Sequence, residues 1–196
     1  MTTIKDVARY ARVSVATVSR VLNNKGYVSK EAETAVQKAI KDLNYRPSAV
    51  ARSLYDKKSR MIGLLIPDIA NPFFPEIARG IEDVALKAGY TVVLCNTDSQ
   101  LKKEKHYLNT LERKYVDGII VATGVGGYEH YKALNVPIVA LDRFISEHVP
   151  TVTVENKQGA KLATEYLIQK GCRHIAHFRG QTGLVTADER YQGFKE

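Results

Sequence analysis

A chain of 196 residues, 44% of them hydrophobic, is long enough to bury a core and needs no disulfide or metal staple to hold it. Residues 1–60 carry 13 basic against 5 acidic side chains, whereas residues 61–196 balance at 16 of each, so one end of the chain, and not its whole surface, seeks a polyanion. No apolar run approaches the roughly 18 residues of a spanning helix and no secretion-signal core opens the chain, which favours nucleic acid over an anionic membrane surface as the polyanion and predicts a soluble cytoplasmic protein.

The first elements are helical. Thr3-Ile4-Lys5-Asp6 offers a helix start, and Ile4, Val7, Ala8 and Ala11 follow at the spacing of one helical face. After Arg12 and Val13, Ser14 is a natural N-cap for a second short helix, VATVSRVL, in which Val18, Val21 and Leu22 form the inward stripe. Val15, Ala16, Thr17, Ser19 and Arg20 are left along its start and outer face. Asn23, Asn24 and Gly26 break the pattern before Ser29 caps a third helix, EAETAVQKAIKDLN, with acids in its first turn and Ala32, Ala35, Val36, Ala39, Ile40 and Leu43 on its apolar face.

Two short helices joined by a tight turn, with a third to complete the core, make the helix-turn-helix reader, whose second helix presents its first turns to base edges in the major groove. A plain three-helix bundle with a solvated basic face is the competing arrangement. Small residues and one arginine on an exposed helix start suit the groove: Arg20 has the fork for guanine O6 and N7, and Val15 and Ala16 suit thymine methyl groups. Thr3, Ser14, Thr17, Ser29 and Tyr45 are placed to reach phosphates, which sets register without reading sequence.

The stretches TIKDVARYARVSVATVSRVLN and NYRPSAVARSL resemble the headpiece and hinge of the LacI family of bacterial transcription regulators, a likeness that runs through the first 60 residues. Pro47 suits the first turn of a helix, and SAVARSLY would add about two turns, too few to stand without a partner. The resemblance implies that two such hinges pair across a homodimer and enter the minor groove of a pseudo-palindromic double-stranded DNA operator. Ser48, Ala51 and Tyr55 would then face the DNA, small Ala49, Val50 and Ala51 would permit close approach, and Leu54 would act as the wedge that unstacks a base step. A flexible linker is the reading of the same stretch when DNA is absent. The implied division is a headpiece over 1–46, a hinge helix and linker over 47–59, and a sensor over 60–196.

From Met61 the pattern alternates. MIGLLIP, TVVLCNT, GIIVAT, PIVALD, TVTVEN and HIAHF are short apolar runs fit for strands. Between most of them lie the helical stretches EIARGIEDVALKAG, KEKHYLNTLERK, YEHYKALN and GAKLATEYLIQK. Such alternation predicts an α/β doubly wound parallel sheet, with ligands beyond the carboxyl ends of the strands. After the first strand stand Asn71, Phe73 and Phe74; after the fourth, Asp142 and Arg143; near the end, Arg190 in ADERYQGF. An acid and two arginines take sugar hydroxyls through charge-assisted hydrogen bonds, while an aromatic face covers the C–H surface. Each piece alone has a plainer reading, Phe73 and Phe74 as core and Asp142 with Arg143 as an ion pair.

Together, NPFF, LDR and ERYQGF resemble the LacI-family sensor and the periplasmic pentose-binding proteins, and within the family the ribose-type repressors. The resemblance implies a small sugar effector such as ribose held by Asn71, Phe73, Phe74, Asp142, Arg143 and Arg190, in a nucleoid-associated bacterial repressor that is no enzyme and uses no cofactor. Ala122 departs from the pentose binders, which place a polar contact there. A catabolite-control regulator answering to a phosphorylated carrier protein, a sugar receptor without gene control, and a fragment that no longer senses sugar are the alternatives.

TGVGG invites comparison with a dinucleotide turn, with Asp142 downstream, but its third glycine position holds Glu129, whose carboxylate would repel a pyrophosphate. His174 and His177, three apart on an expected strand, point to opposite faces and do not share a metal. Cys95 and Cys172 are expected as small buried side chains. Because family members continue through a second lobe and a return strand, the sensor is expected to be C-terminally truncated and its sheet incomplete.

Overall fold

The computed structural model describes residues 2–46, 58–123, 127–180 and 183–196. Its contacts divide the chain into two units, Met1–Lys57 and Lys58–Glu196, each described here by itself.

The first unit holds α1 (Ile4–Ala11), α2 (Val15–Asn23) and α3 (Lys30–Asp42). Local chemistry sets each end. Thr3 caps α1 reciprocally with Asp6, whose Oδ2 accepts the Thr3 hydroxyl at 2.7 Å and the Thr3 N–H at 2.9 Å, and these bonds, the hydroxyl's first, hold the Asp6 carboxyl below its usual range. Ser14 Oγ accepts the Thr17 N–H at 3.1 Å and Ser29 Oγ the Ala32 N–H at 3.3 Å, satisfying donors that a helix start leaves over. Arg12 and Asn24 end α1 and α2 in the left-handed region, at φ 54° and 51°. Val7, Ala8, Val18, Val36 and Ala39 form the buried centre, with Leu22, Ile40 and Tyr45 packed around it. The expected hinge helix, with Ser48, Ala51, Leu54 and Tyr55, lies outside the described residues.

The second unit is a five-stranded parallel sheet in the order β2-β1-β3-β4-β5. Its elements are β1 (Met61–Ile66), α4 (Phe73–Lys87), β2 (Thr91–Asn96), α5 (Leu101–Arg113), β3 (Gly118–Val121), α6 (Glu129–Lys132), β4 (Ile138–Leu141), β5 (Thr151–Val152), α7 (Asn156–Gln169) and α8 (Val185–Lys195). β1 is an interior strand, with Ile66 opposite Asn96 of β2 and Leu65 opposite Val121 of β3. A strand covered on both faces reads as a continuous apolar run, which is why MIGLLI shows no alternation. Leu64, Ile66 and Phe74 pack in one core layer with Ala78 and Ile81 of α4; Leu65, Val121, Leu108 and Leu111 pack in the other. Gly63 lies where α5 crosses β1, and a Cβ there would come within 2.5 Å of Leu111 Cδ1, so the Leu111 side chain would have to shift.

Several expected elements differ. HIAHF forms no strand: residues 174–178 lie in irregular backbone and Phe178 is 98% exposed, because an apolar run becomes a strand only when a ladder partner takes its N–H and C=O groups. TVTVEN pairs over Thr151 and Val152 only, against Ala140 and Leu141. YEHYKALN makes one turn, Glu129–Lys132, while α4 starts three residues earlier than the apolar periodicity suggests, at Phe73. Cys95 is buried as expected and Cys172 is exposed. No helix among the described residues is long and apolar enough to cross a membrane.

Candidate functional site

In the strand order 2-1-3-4-5 the connections reverse direction between β1 and β3, and the carboxyl ends there open a crevice. A cavity of about 440 Å³ occupies it. Asn71, Phe73 and Phe74 reach it from the loop after β1 and the start of α4, Asp142 and Arg143 from the end of β4, and Arg190 from α8. The structure thus brings together all of the sensor residues singled out from sequence, although they lie up to 119 positions apart, from Asn71 to Arg190.

Each is held by local chemistry. Asn71 Oδ1 accepts the Phe73 N–H at 3.1 Å, and the Asn71 carbonyl accepts the Phe74 N–H at 3.1 Å, so the NPFF turn is set by its own first residue. Phe74 is 8% exposed and serves the core as well as the cavity; Phe73 stands half out, its ring 5.1 Å from that of Phe74 at 78°. Asp142 adopts φ 54°, a conformation that aspartate tolerates better than most residues, and donates its N–H to Val152 O at 2.8 Å. Its Oδ1 is buried and accepts no hydrogen bond from the protein. A buried acceptor left so costs roughly 1–3 kcal/mol, a cost recovered by any ligand that brings a donor. Burial works against the charge of half-buried Arg143, and neighbouring Asp142 restores part of it. Arg190 Nε donates to Asn156 Oδ1 at 2.7 Å.

Sequence reasoning missed several lining residues, namely Asp68, Ser99 and Thr186. Ser99 was within reach of the rule applied to the other strands, since it follows β2. Asn156, 6% exposed and orienting Arg190, was hidden at the end of the expected strand TVTVEN and instead opens α7. Ala122 lines the cavity with a methyl group where a polar contact was sought. His177 packs its ring on Phe194 at 5.0 Å instead of flanking a shared site with His174, and no cluster of metal-ligating side chains occurs among the described residues.

On the first unit, Val15, Ala16 and Arg20 are exposed along α2, with Thr17 and Ser19 partly covered beside them. The Arg20 side chain runs beside Gly26, within 3.7 Å of where a Cβ would be. Ser14 and Ser29 use their oxygens as helix caps, and Ser14 Oγ also shares a hydrogen bond with Thr17 Oγ1 at 2.9 Å; Thr3 gives its hydroxyl hydrogen to Asp6 Oδ2 at 2.7 Å. Tyr45 lies against the helical core with part of its surface open. Tyr27, 88% exposed between α2 and α3, drew no notice in the sequence.

Two family models cover these units. One, of periplasmic binding proteins and the sugar binding domain of the LacI family, matches residues 59–196; the other, of bacterial regulatory proteins of the lacI family, matches residues 3–48. The chain belongs to the LacI family. Among curated LacI-family relatives, the ribose operon repressor of Halalkalibacterium halodurans is 64% identical over 196 residues, which cover 100% of this chain and 59% of that protein. The chain therefore spans about three-fifths of the length of that relative. Among solved structures, a lac repressor dimer bound to operator and the anti-inducer ONPF is 30% identical with a TM-score of 0.84, covering 99% of this chain and 60% of that one. A periplasmic binding protein/LacI transcriptional regulator from Alkaliphilus metalliredigens, complexed with D-xylulofuranose, is 39% identical with a TM-score of 0.65, covering 69% of this chain and 51% of that one.

Proposed function

We propose that this chain is the DNA-reading and sugar-sensing portion of a transcriptional repressor of a ribose-type utilisation operon, a cytoplasmic regulator and not an enzyme. The observation that carries the sensing half is the buried, unpartnered Asp142 Oδ1 in a cavity that Arg143, Arg190, Asn71, Phe73 and Phe74 also line. A furanose or pyranose presents several hydroxyl donors and acceptors on a ring with apolar C–H faces. It matches this mixture of carboxylate, guanidinium and aromatic edge better than an apolar ligand or a polyanion. The relatives named for the ribose operon and complexed with D-xylulofuranose support a pentose.

The reading half rests on the 13 to 5 basic surplus of residues 1–60 and on the exposed start of α2. Arg20, Val15 and Ala16 read base edges in the major groove; Thr3, Ser14, Thr17, Ser19, Ser29 and Tyr45 hold the phosphates. From the sequence likeness alone, Ser48, Ala51, Leu54 and Tyr55 enter the minor groove of a pseudo-palindromic operator bound by a homodimer.

A gel-shift competition with a half-site library, repeated over a salt series and with D-ribose added, tests both halves. Sequence preference over random competitor, a steep fall of affinity with salt, and a ribose-dependent change are expected. Binding with no preference for any sequence overturns the regulator reading. A response to a phosphorylated carrier protein in place of ribose transfers the chain to the catabolite-control branch.

A further inference from the structure

The cavity wall that carries Asn71 and Phe73 is a loop, residues 67–72, and its inner hydrogen bonds fix its shape without fixing its place. Asp68 Oδ1 accepts the Ala70 N–H at 2.8 Å and Asn71 Oδ1 the Phe73 N–H at 3.1 Å, both within the loop and its helix. Among the described residues, the side-chain bond that ties it to another strand is the one from the Ile69 N–H to Asn96 Oδ1 at 2.9 Å. Asn96 is the last residue of β2, in register with Ile66, the last residue of β1, so its side chain bridges two neighbouring strand ends.

An amide at such a position has two orientations, and only one accepts. Asn96 Nδ2 donates to Asp98 Oδ1 at 2.6 Å, which turns the amide oxygen toward Ile69. Asp98 is fixed in turn by Lys103 of α5 through its other oxygen, and that bond, ahead of the Lys103 charge and the Asn96 bond, holds its carboxyl below the usual range. Asp98 and Ser99 both adopt the left-handed region, at φ 51° and 53°, and Ser99 lines the same cavity. Thr97 closes the turn, its N–H and Oγ1 both donating to Ile66 O, at 2.9 and 3.1 Å. The run Asn96-Thr97-Asp98-Ser99 therefore ties the end of β2 to the end of β1 and to two parts of the cavity rim.

We propose that Asn96, oriented by Asp98, is a positioning residue that places the Asn71–Phe73 wall of the cavity and thereby sets the affinity for a small polyol. The role in affinity rests on the effector reading above; the placement of the loop does not. Neither Asn96 nor Asp98 lines the cavity, so their effect on a ligand is exerted through the loop.

Amide hydrogen exchange of the 196-residue chain, followed on peptides spanning 67–74 with and without D-ribose, tests both layers. Asn96→Leu removes the acceptor and is expected to speed exchange of that segment about fivefold, the factor carried by one neutral hydrogen bond, while β1 and β3 exchange as before. Asn96→Asp sets two carboxylates against each other and loosens the segment as well. Asn96→Asp combined with Asp98→Asn restores both hydrogen bonds with donor and acceptor exchanged between the two positions, and is expected to return the segment to the wild-type rate. Ribose protection of the segment should follow the same order across the variants. Unchanged exchange in Asn96→Leu, or failure of the double variant to recover, overturns the proposal. If the latch behaves as stated and D-ribose protects nothing in the wild-type chain, the effector reading fails and the role in affinity with it, while the placement of the loop by Asn96 stands.

Discussion

Glu104 Oε1 lies 2.7 Å from His130 Nε2, with the carboxylate fully buried. Thr123 Oγ1 donates to Oε2 at 2.9 Å and the Tyr131 hydroxyl donates to Oε1, so one side chain of α5 gathers the end of β3 and the single turn of α6. Burial first, and then the bond to Glu104, hold the Tyr131 phenol far above its usual range and keep it a donor. Glu104→Leu leaves these donors buried without the acceptor and is expected to destabilise the sensor by about 3–5 kcal/mol, whereas Glu104→Gln keeps an acceptor oxygen and is expected to cost about 1–3 kcal/mol. Urea unfolding of the purified chain measures both; equal midpoints for Glu104→Leu and wild type would show that the network adds nothing.

Arg20→Ala is expected to relax discrimination at one base pair by roughly 1–3 kcal/mol, with little change at the others. Ser29→Ala should act differently. Its hydroxyl caps α3 through the Ala32 N–H, so the change lowers headpiece stability by about 1 kcal/mol, and, if Ser29 holds a phosphate as proposed, weakens binding to all sequences alike. Competition binding against single-base operator variants separates the two patterns. A uniform loss for Arg20→Ala refutes its role as a base reader.

The headpiece was legible because its information is local. Caps at Thr3, Ser14 and Ser29 and apolar spacing within each helix are set by residues three or four apart, and each cap formed as expected. The cavity was legible for a different reason: in a parallel sheet every strand ends on the same edge, where the ends of β1 and β4 flank that of β3, so residues just after strands could be named before their geometry was known. Hidden in the sequence were the residues that act on other residues. Asn156 looks like the end of a strand until Arg190, 34 positions later, is seen beside it, and Asn96 looks like a strand end until Ile69 donates to it. The expected strand HIAHF failed because its apolar character states that it must be buried, not where a pairing strand is to come from.

Gly193→Ala is expected to separate α7 from α8. A Cβ there would lie 2.0 Å from Lys157 O and 3.1 Å from Lys161 N, and these are backbone atoms of α7 that no rotamer change can withdraw. The helices must part, at a cost of at least about 3 kcal/mol, which places this change at the severe end of overpacking. The Arg190–Asn156 bond spans the same two helices and should weaken with it. Hydrogen exchange should rise across residues 156–169 and 185–195 and stay unchanged in β1 and β3. Exchange rising equally everywhere would mean that the helix pair and the sheet unfold as one unit.

The two cysteines should differ sharply toward an alkylating reagent. Cys172 is exposed, whereas Cys95 is 4% exposed on β2, where burial pushes its thiol up to about 11. The thiolate is the reactive form, so at pH 8 iodoacetamide should modify Cys172 within minutes to hours and reach Cys95 only through unfolding. The sign of the linked pH effect follows from the same shift. Above the ordinary thiol value of 9.0 the unfolded chain loses the Cys95 proton and the folded chain keeps it. Protonation of the folded thiol thus contributes nothing that changes below that pH, and stability declines as the pH climbs from 9.0 toward about 11. Cys95→Ala removes this slope at the expense of a small cavity, so comparison of urea midpoints for the variant and wild type at pH 8 and pH 10 isolates it. Parallel midpoints at the two pH values would show that the Cys95 thiol ionises as freely in the folded sheet as in the unfolded chain.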